Sequence, residues 1–187
     1  MANEETADYG PLKKLFGTWK GDKGMDIAPK AEGQEDNPYY ETIVFKKVGD
    51  VENAGTQTLA IARYHLSVRE KSNDEVSHDQ VGYWLWDKEN QTIIHSLTIP
   101  RGVSVIAGGS FDSAKANDEA ITFSVAAKEG EDWGIVQAPF MKENAKTIEF
   151  TQELSVSNNE LSYTQTMVLD IYGRLFNHTD GNTLKRA

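Results

Sequence analysis

Four histidines are the side chains best able to do chemistry in this 187-residue chain, because it has no cysteine. Without thiols there is no disulfide framework, thiolate nucleophile, zinc–thiolate site or iron–sulfur cluster. His178 stands in a polar C-terminal stretch, Tyr172-Gly173-Arg174-Leu175-Phe176-Asn177-His178-Thr179-Asp180-Gly181, just after the longest β-patterned run. A lone imidazole at a barrel rim suits the axial position of a haem iron; the plain alternative is a surface histidine. His78 shares a strand face with Gln80, Gly82, Trp84 and Trp86, and alone it reads as a surface residue. His95, among Ile93, Leu97 and Ile99, is either a satisfied interior histidine or a pocket residue. His65 shares a face with Arg63, Ser67 and Arg69 and reads as solvated.

Other chemical signatures fail. Gly108-Gly109-Ser110-Phe111-Asp112 lacks the last glycine of a nucleophile elbow. There is no phosphate-cradling glycine loop and no His-x-x-x-His zinc pair. The carboxylates are too scattered to name an acid/base pair. Trp19, Trp84, Trp86 and Trp133 read as core or rim residues. A net charge of -10 argues against nucleic acid or an anionic membrane as partner, since phosphate binding needs a basic surface. No apolar run approaches the ~20 residues of a membrane span. Met1 to Asp8 lacks the basic start and apolar stretch of a signal peptide, so a cytoplasmic setting is expected.

The elements that must position these residues are strands. Ile121, Phe123, Val125 and Ala127 alternate with Ala120, Thr122, Ser124 and Ala126. Ile148, Phe150, Leu154 and Val156 share a face with Gln152, opposite Thr147, Glu149, Thr151, Glu153 and Ser155. Leu161, Tyr163, Met167, Leu169 and Ile171 share a face with Gln165. Such period-two patterns are half-buried antiparallel strands. Further strands are expected over Tyr40 to Lys47, Gln57 to Glu70, Val76 to Asp87, Gln91 to Ile99 and Val103 to Phe111, with tight connections at Lys71 to Asp74, Asp87 to Asn90 and Asn158-Asn159. Gly10 to Phe16 is expected to form one helical turn whose Leu12, Leu15 and Phe16 plug a barrel end. Asp26 to Pro38, rich in Gly, Pro and acidic residues, reads as a long loop. The expected fold is all-β: residues 1–187 as one domain, an up-and-down antiparallel barrel of about ten strands, calycin-like, with a ligand cavity.

Several blocks, in order, resemble the nitrobindin family of haem-binding barrels, related in shape to fatty-acid-binding proteins. Leu15-Phe16-Gly17-Thr18-Trp19-Lys20-Gly21 is similar to the family's Gly-x-Trp-x-Gly-x-Gly opening. Tyr40-Glu41-Thr42-Ile43-Val44-Phe45 looks like its second strand, and His78-Asp79-Gln80-Val81-Gly82-Tyr83 like its His-x-x-x-Gly-Tyr segment. Pro100-Arg101-Gly102-Val103 resembles its next turn, Leu161-Ser162-Tyr163 its penultimate strand, and His178 followed by Leu184-Lys185-Arg186 its closing motif. The resemblance implies a ten-stranded barrel holding one ferric haem b, with His178 as proximal metal ligand and His78 on the distal side. It also implies Ile99 facing the pocket and Arg101 near a propionate or in solvent. The family's activities imply reversible nitric oxide binding and isomerisation of peroxynitrite to nitrate. Two departures carry structural expectations. Lys23 stands where the final glycine belongs and Gly24 follows one residue late, which implies a bulge in the first strand. Thr179 and Asp180 replace the usual aliphatic edge after the histidine.

Two other readings stay open at this level. The barrel could carry a fatty acid or other lipophile, with Arg63 or Arg101 meeting a carboxylate, or it could hold another planar ligand between Trp84, Trp86 and Tyr163. Neither the oligomeric state nor the physiological substrate is legible.

Overall fold

The computed structural model describes residues 4–187. Ten long strands close into an antiparallel barrel: β1 (Gly17–Pro29), β2 (Gln34–Asn53), β3 (Gln57–Glu70), β4 (Val76–Asp87), β5 (Thr92–Ile99), β6 (Val103–Ser110), β7 (Ile121–Lys128), β9 (Ala145–Val156), β10 (Glu160–Ile171) and β11 (Arg174–Arg186). A three-residue strand, β8 (Ile135–Gln137), is appended to β6, and a six-residue helix, α1 (Pro139–Asn144), leads into β9. Neither was foreseen from the pattern. Around the barrel the order is β5-β4-β3-β2-β1-β11-β10-β9-β7-β6, closed by pairing of β5 with β6. Closure removes the edge strands that would invite aggregation.

Alternation decides what is inside. Trp84, Trp86, Phe123 and Phe150 are fully buried and fill the middle of the barrel with Ile93, Leu97, Val105 and Leu154. The expected helical turn exists as a 3-10 turn, Gly10–Lys14, and it buries Leu12 and Leu15 completely. Trp19 Nε1 donates to the Leu15 carbonyl at 2.7 Å, which fixes this plug to the start of β1. The plug therefore closes the end where β4 finishes with Trp86 and Asp87. His78 begins β4 and so belongs to the other end.

Two bulges shift the inner face away from simple alternation. In β1 the register with β2 runs Gly21↔Glu41 and then Gly24↔Tyr39, so one extra residue lies between. This is the bulge that the late glycine implied. Gly24 thereby takes an inward position, where a Cβ would stand 2.1 Å from the Tyr39 ring. In β9 the register runs Val168↔Glu149 and then Leu169↔Thr147, so Ile148 is the extra residue. Thr147 turns inward and is buried, against the expectation that it faces out. The Gln137 side chain meets the disturbed backbone, donating to the Thr147 carbonyl at 2.8 Å and accepting from its N–H at 2.6 Å.

The segment Asp26 to Pro38 is not a loop. It is the far half of a long hairpin, with Asp26↔Asn37 and Pro29↔Gln34 in register and only Lys30 to Gly33 turning. Likewise His178 does not sit in an irregular tail but in the middle of β11, opposite Met167 of β10. Among the described residues no helix is long and apolar enough to cross a membrane.

Candidate functional site

The end of the barrel away from the plug collects the chain's polar inward-facing residues. Past its bulge, β1 points Gly24, Asp26 and Ala28 inward; strict alternation from Trp19 would instead have pointed Lys23 and Met25 there. Asp26 Oδ1 lies 2.6 Å from His178 Nε2. Both side chains are half-buried, at 27% and 32% exposure. Burial alone would pull the His178 pKa down, but the hydrogen bond and charge of Asp26, helped by Asp180, outweigh it and leave it raised. Asp26 Oδ2 accepts from Asn37 Nδ2 at 3.4 Å.

His78 faces the same end, paired in register with Val68. Burial lowers its pKa, against the hydrogen bond to Gln80, and the nearby charges of Arg101 and His178 act in the same direction as burial. The register puts all three at this end: His78 at the start of β4, Arg101 in the turn that follows its neighbour β5, and His178 bonded to Asp26 on the far half of the hairpin. The Arg101 backbone is exposed in the turn after Ile99, and Ile99 itself is buried on the inner face of β5. From His78 a hydrogen-bonded chain runs inward. Its Nε2 bonds Gln80 Oε1 at 3.2 Å, Gln80 Nε2 donates to the Tyr64 hydroxyl, and that hydroxyl bonds His95 Nε2 at 2.8 Å. His95 is an interior histidine: it is buried, its Nε2 is bonded to Tyr64 while its Nδ1 has no hydrogen-bond partner among the described residues, it stacks on Trp84 at 4.2 Å, and burial drives its pKa down to about 3. His65 is exposed and bonded to Asp79 at 2.7 Å, as its solvated face implied.

A belt of polar side chains crosses five neighbouring strands. Gln152, Gln165, Asp180, Asp26 and Asn37 are successive cross-strand partners on β9, β10, β11, β1 and β2. Asp26 and Asp180 face each other directly, a like-charge pairing that destabilises unless a cation or proton intervenes. Burial, opposed by the nearby His178 and reinforced by Glu41 and Asp26, pushes Asp180 up to about 7. One layer deeper, Glu41 is only 2% exposed. Its Oε2 accepts from the Tyr163 hydroxyl at 2.8 Å and from Asn182 Nδ2 at 3.3 Å, while Tyr39 and Tyr163 share a bond of 2.9 Å. Burial raises the Glu41 pKa to about 7 despite these donors.

The pH consequence has a definite sign. A carboxyl whose pKa is raised on folding binds its proton more tightly in the native state, so stability is greatest below the unfolded value and falls as pH rises through the folded one. From 4.5 to about 7, Glu41 removes about 3 kcal/mol across that window. Glu41→Gln should therefore be more stable than the parent at pH 8 and similar to it at pH 4.5, measured by denaturant midpoints. Equal midpoints for the two proteins at pH 8 would contradict this.

The resemblance implied His178, His78, Ile99 and Arg101 as site residues, and the fold brings all four to one end. It did not point to Asp26, Glu41 or the Gln80–Tyr64 pair. Asp26 is found only by following the register across the bulge. Gln80 was visible only as a residue on the same strand face as His78. The donor set fits a haem group: the half-buried imidazole of His178, the ring of His78, apolar walls from Met167, Leu169, Ile99 and Val68, and the guanidinium of Arg101 in the exposed turn. Among the described residues no cluster of three or more His, Asp or Glu side chains is built to chelate a bare metal ion.

Residues 8–186 match the family described as "THAP4-like, heme-binding beta-barrel domain". The crystal structure of Rv2717c from M. tuberculosis superposes with a TM-score of 0.71, covering 95% of this chain and 97% of that one at 19% identity. At that identity the likeness concerns the fold. No curated protein matches the chain in a direct sequence comparison.

Proposed function

This chain belongs to the THAP4-like haem-binding β-barrel domain family, and on that premise we propose that it holds ferric haem b through His178 and handles reactive nitrogen species there. The observation that carries the reading is the meeting of His178, His78 and Arg101 at one apolar-walled barrel end. Bound there, the cofactor would supply a ferric Lewis acid able to take nitric oxide or peroxynitrite and hold the fragments for isomerisation to nitrate. His178 donates the lone pair of one ring nitrogen. His78, whose pKa burial lowers and whose ring Gln80 tethers, would offer a hydrogen-bonding group to a small ligand bound at the site. Met167, Leu169, Ile99 and Val68 exclude water, and Arg101 meets an acidic substituent at the rim.

His78→Leu in the haem-loaded protein should change nitric oxide association and dissociation rates several-fold while haem affinity changes little. Equal loss of haem in His78→Leu and His178→Ala would remove His78 from the distal role. Peroxynitrite should decay to nitrate faster with the loaded protein than with the same concentration of free haemin; equal rates would overturn the isomerase reading.

The alternatives find less support. Of the two arginines that could meet a fatty carboxylate, Arg63 lies on the exposed outer face, which leaves only Arg101 at the rim. The Trp84 face is taken by His95, and Trp86 packs edge-on against Phe111, so neither tryptophan offers a slot for a planar ligand.

A further inference from the structure

We propose that Asp26 is a lock on the haem site: its carboxylate occupies the nitrogen of His178 that iron would take, and it must swing aside before haem can be held. The inference rests on the reading of His178 as the ligand.

The first support is the contact itself. Asp26 Oδ1 sits 2.6 Å from Nε2, in a setting where both side chains are about two-thirds covered. Nε2 is the open nitrogen of an imidazole, whereas Nδ1 neighbours the ring carbon that carries the backbone. A nitrogen whose proton is donated to a carboxylate has no lone pair left for a metal. The bond is charge-assisted, hence short and strong.

The second support is that the carboxylate is held from behind. Asn37 donates to Oδ2 from the neighbouring strand. The hairpin carrying both residues is tied back to β11, because the Arg174 guanidinium donates to the Lys30 carbonyl at 3.1 Å and to that of Gly33. Asp26 is thus delivered to His178 by a braced hairpin and not by a free loop.

The third support is the register. The extra residue in β1 turns Asp26 to the inside, directly opposite Asp180. Two facing carboxylates destabilise the sheet. His178 stands two residues from Asp180 on β11 and is bonded to Asp26, so its ring offsets the facing carboxylates in the absence of haem, and the haem-free state has its own reason to keep the lock shut.

The test is an equilibrium haemin titration, followed by absorbance, of the parent chain, Asp26→Ala, Asp26→Asn and His178→Ala. Thermal melts of the haem-free proteins confirm folding. Asp26→Ala should bind haemin roughly ten- to a hundredfold more tightly than the parent, the equivalent of one charge-assisted hydrogen bond, with the same Soret position. Asp26→Asn should fall between them, and it carries the test should the alanine variant not fold. Equal or weaker binding in the Asp26 variants, with His178→Ala still abolishing the band, overturns the lock and makes Asp26 a residue that merely orients the ring; the haem assignment then stands. No Soret shift in either the parent or the Asp26 variants defeats the haem assignment and the lock together.

Discussion

Replacing His178 by alanine is expected to abolish the Soret band of the haemin-treated protein while leaving the barrel folded. The ring is the only inward imidazole on β11, and it stands opposite Met167 at the polar end of the barrel. It takes no part in the apolar core that Trp84, Trp86, Phe123 and Phe150 organise. Removing it costs one charge-assisted hydrogen bond and leaves Asp26 facing Asp180 uncompensated, about 1–3 kcal/mol of stability. That is well short of unfolding an ordinary domain. The effect on haem is of another order, since no second imidazole stands on the same wall. A variant that binds haemin with an unchanged spectrum would mean that the iron is held elsewhere.

The largest structural effect is expected from Gly82→Ala. Gly82 lies in mid-strand on β4, paired with Tyr64 on one side and Leu97 on the other. A Cβ there would come within 2.0 Å of the Ser96 carbonyl oxygen, which is backbone and cannot rotate away. The ladder between β4 and β5 has to part, and that ladder also positions Gln80 and His95. A loss of about 3 kcal/mol or more is expected, beyond the usual range for overpacking. Gly134→Ala is the control: its nearest neighbour, the Glu131 carbonyl oxygen, lies at an ordinary 3.5 Å, and a change within about 0.5 kcal/mol is expected. Matching denaturation midpoints for the two variants would show that the crowding at Gly82 is relieved at no cost.

Much of the barrel was legible because most of its strands are apolar on one face. The strands expected over Gln57 to Glu70 and Val76 to Asp87 fold as read, and the alternating residues Ile121 to Ala127 and Leu161 to Ile171 each lie within one strand. Legibility fails where the inner face itself turns polar. Asp26 and Asn37 face inward on the hairpin, and His178 and Asp180 face inward on β11, so these strands carry no hydrophobic period. They read as a loop and a tail for that reason. The bulge in β1 could be inferred from the displaced glycine, but its consequence could not. Which side Asp26 faces depends on the register, and its partner lies 152 residues away in sequence. Glu41 shares its face with Tyr39, Ile43 and Phe45, so alternation alone sends it inward, and the Tyr163 and Asn182 bonds show how a carboxyl is accommodated there.

The most direct test of the account is a haemin titration of the purified chain, read by absorbance. It predicts a saturable one-to-one Soret shift, with a ferric spectrum characteristic of a single histidine ligand. A featureless titration, in which haemin partitions without saturation, would contradict it and return His178 and Asp26 to the role of a half-buried ion pair bracing the barrel end.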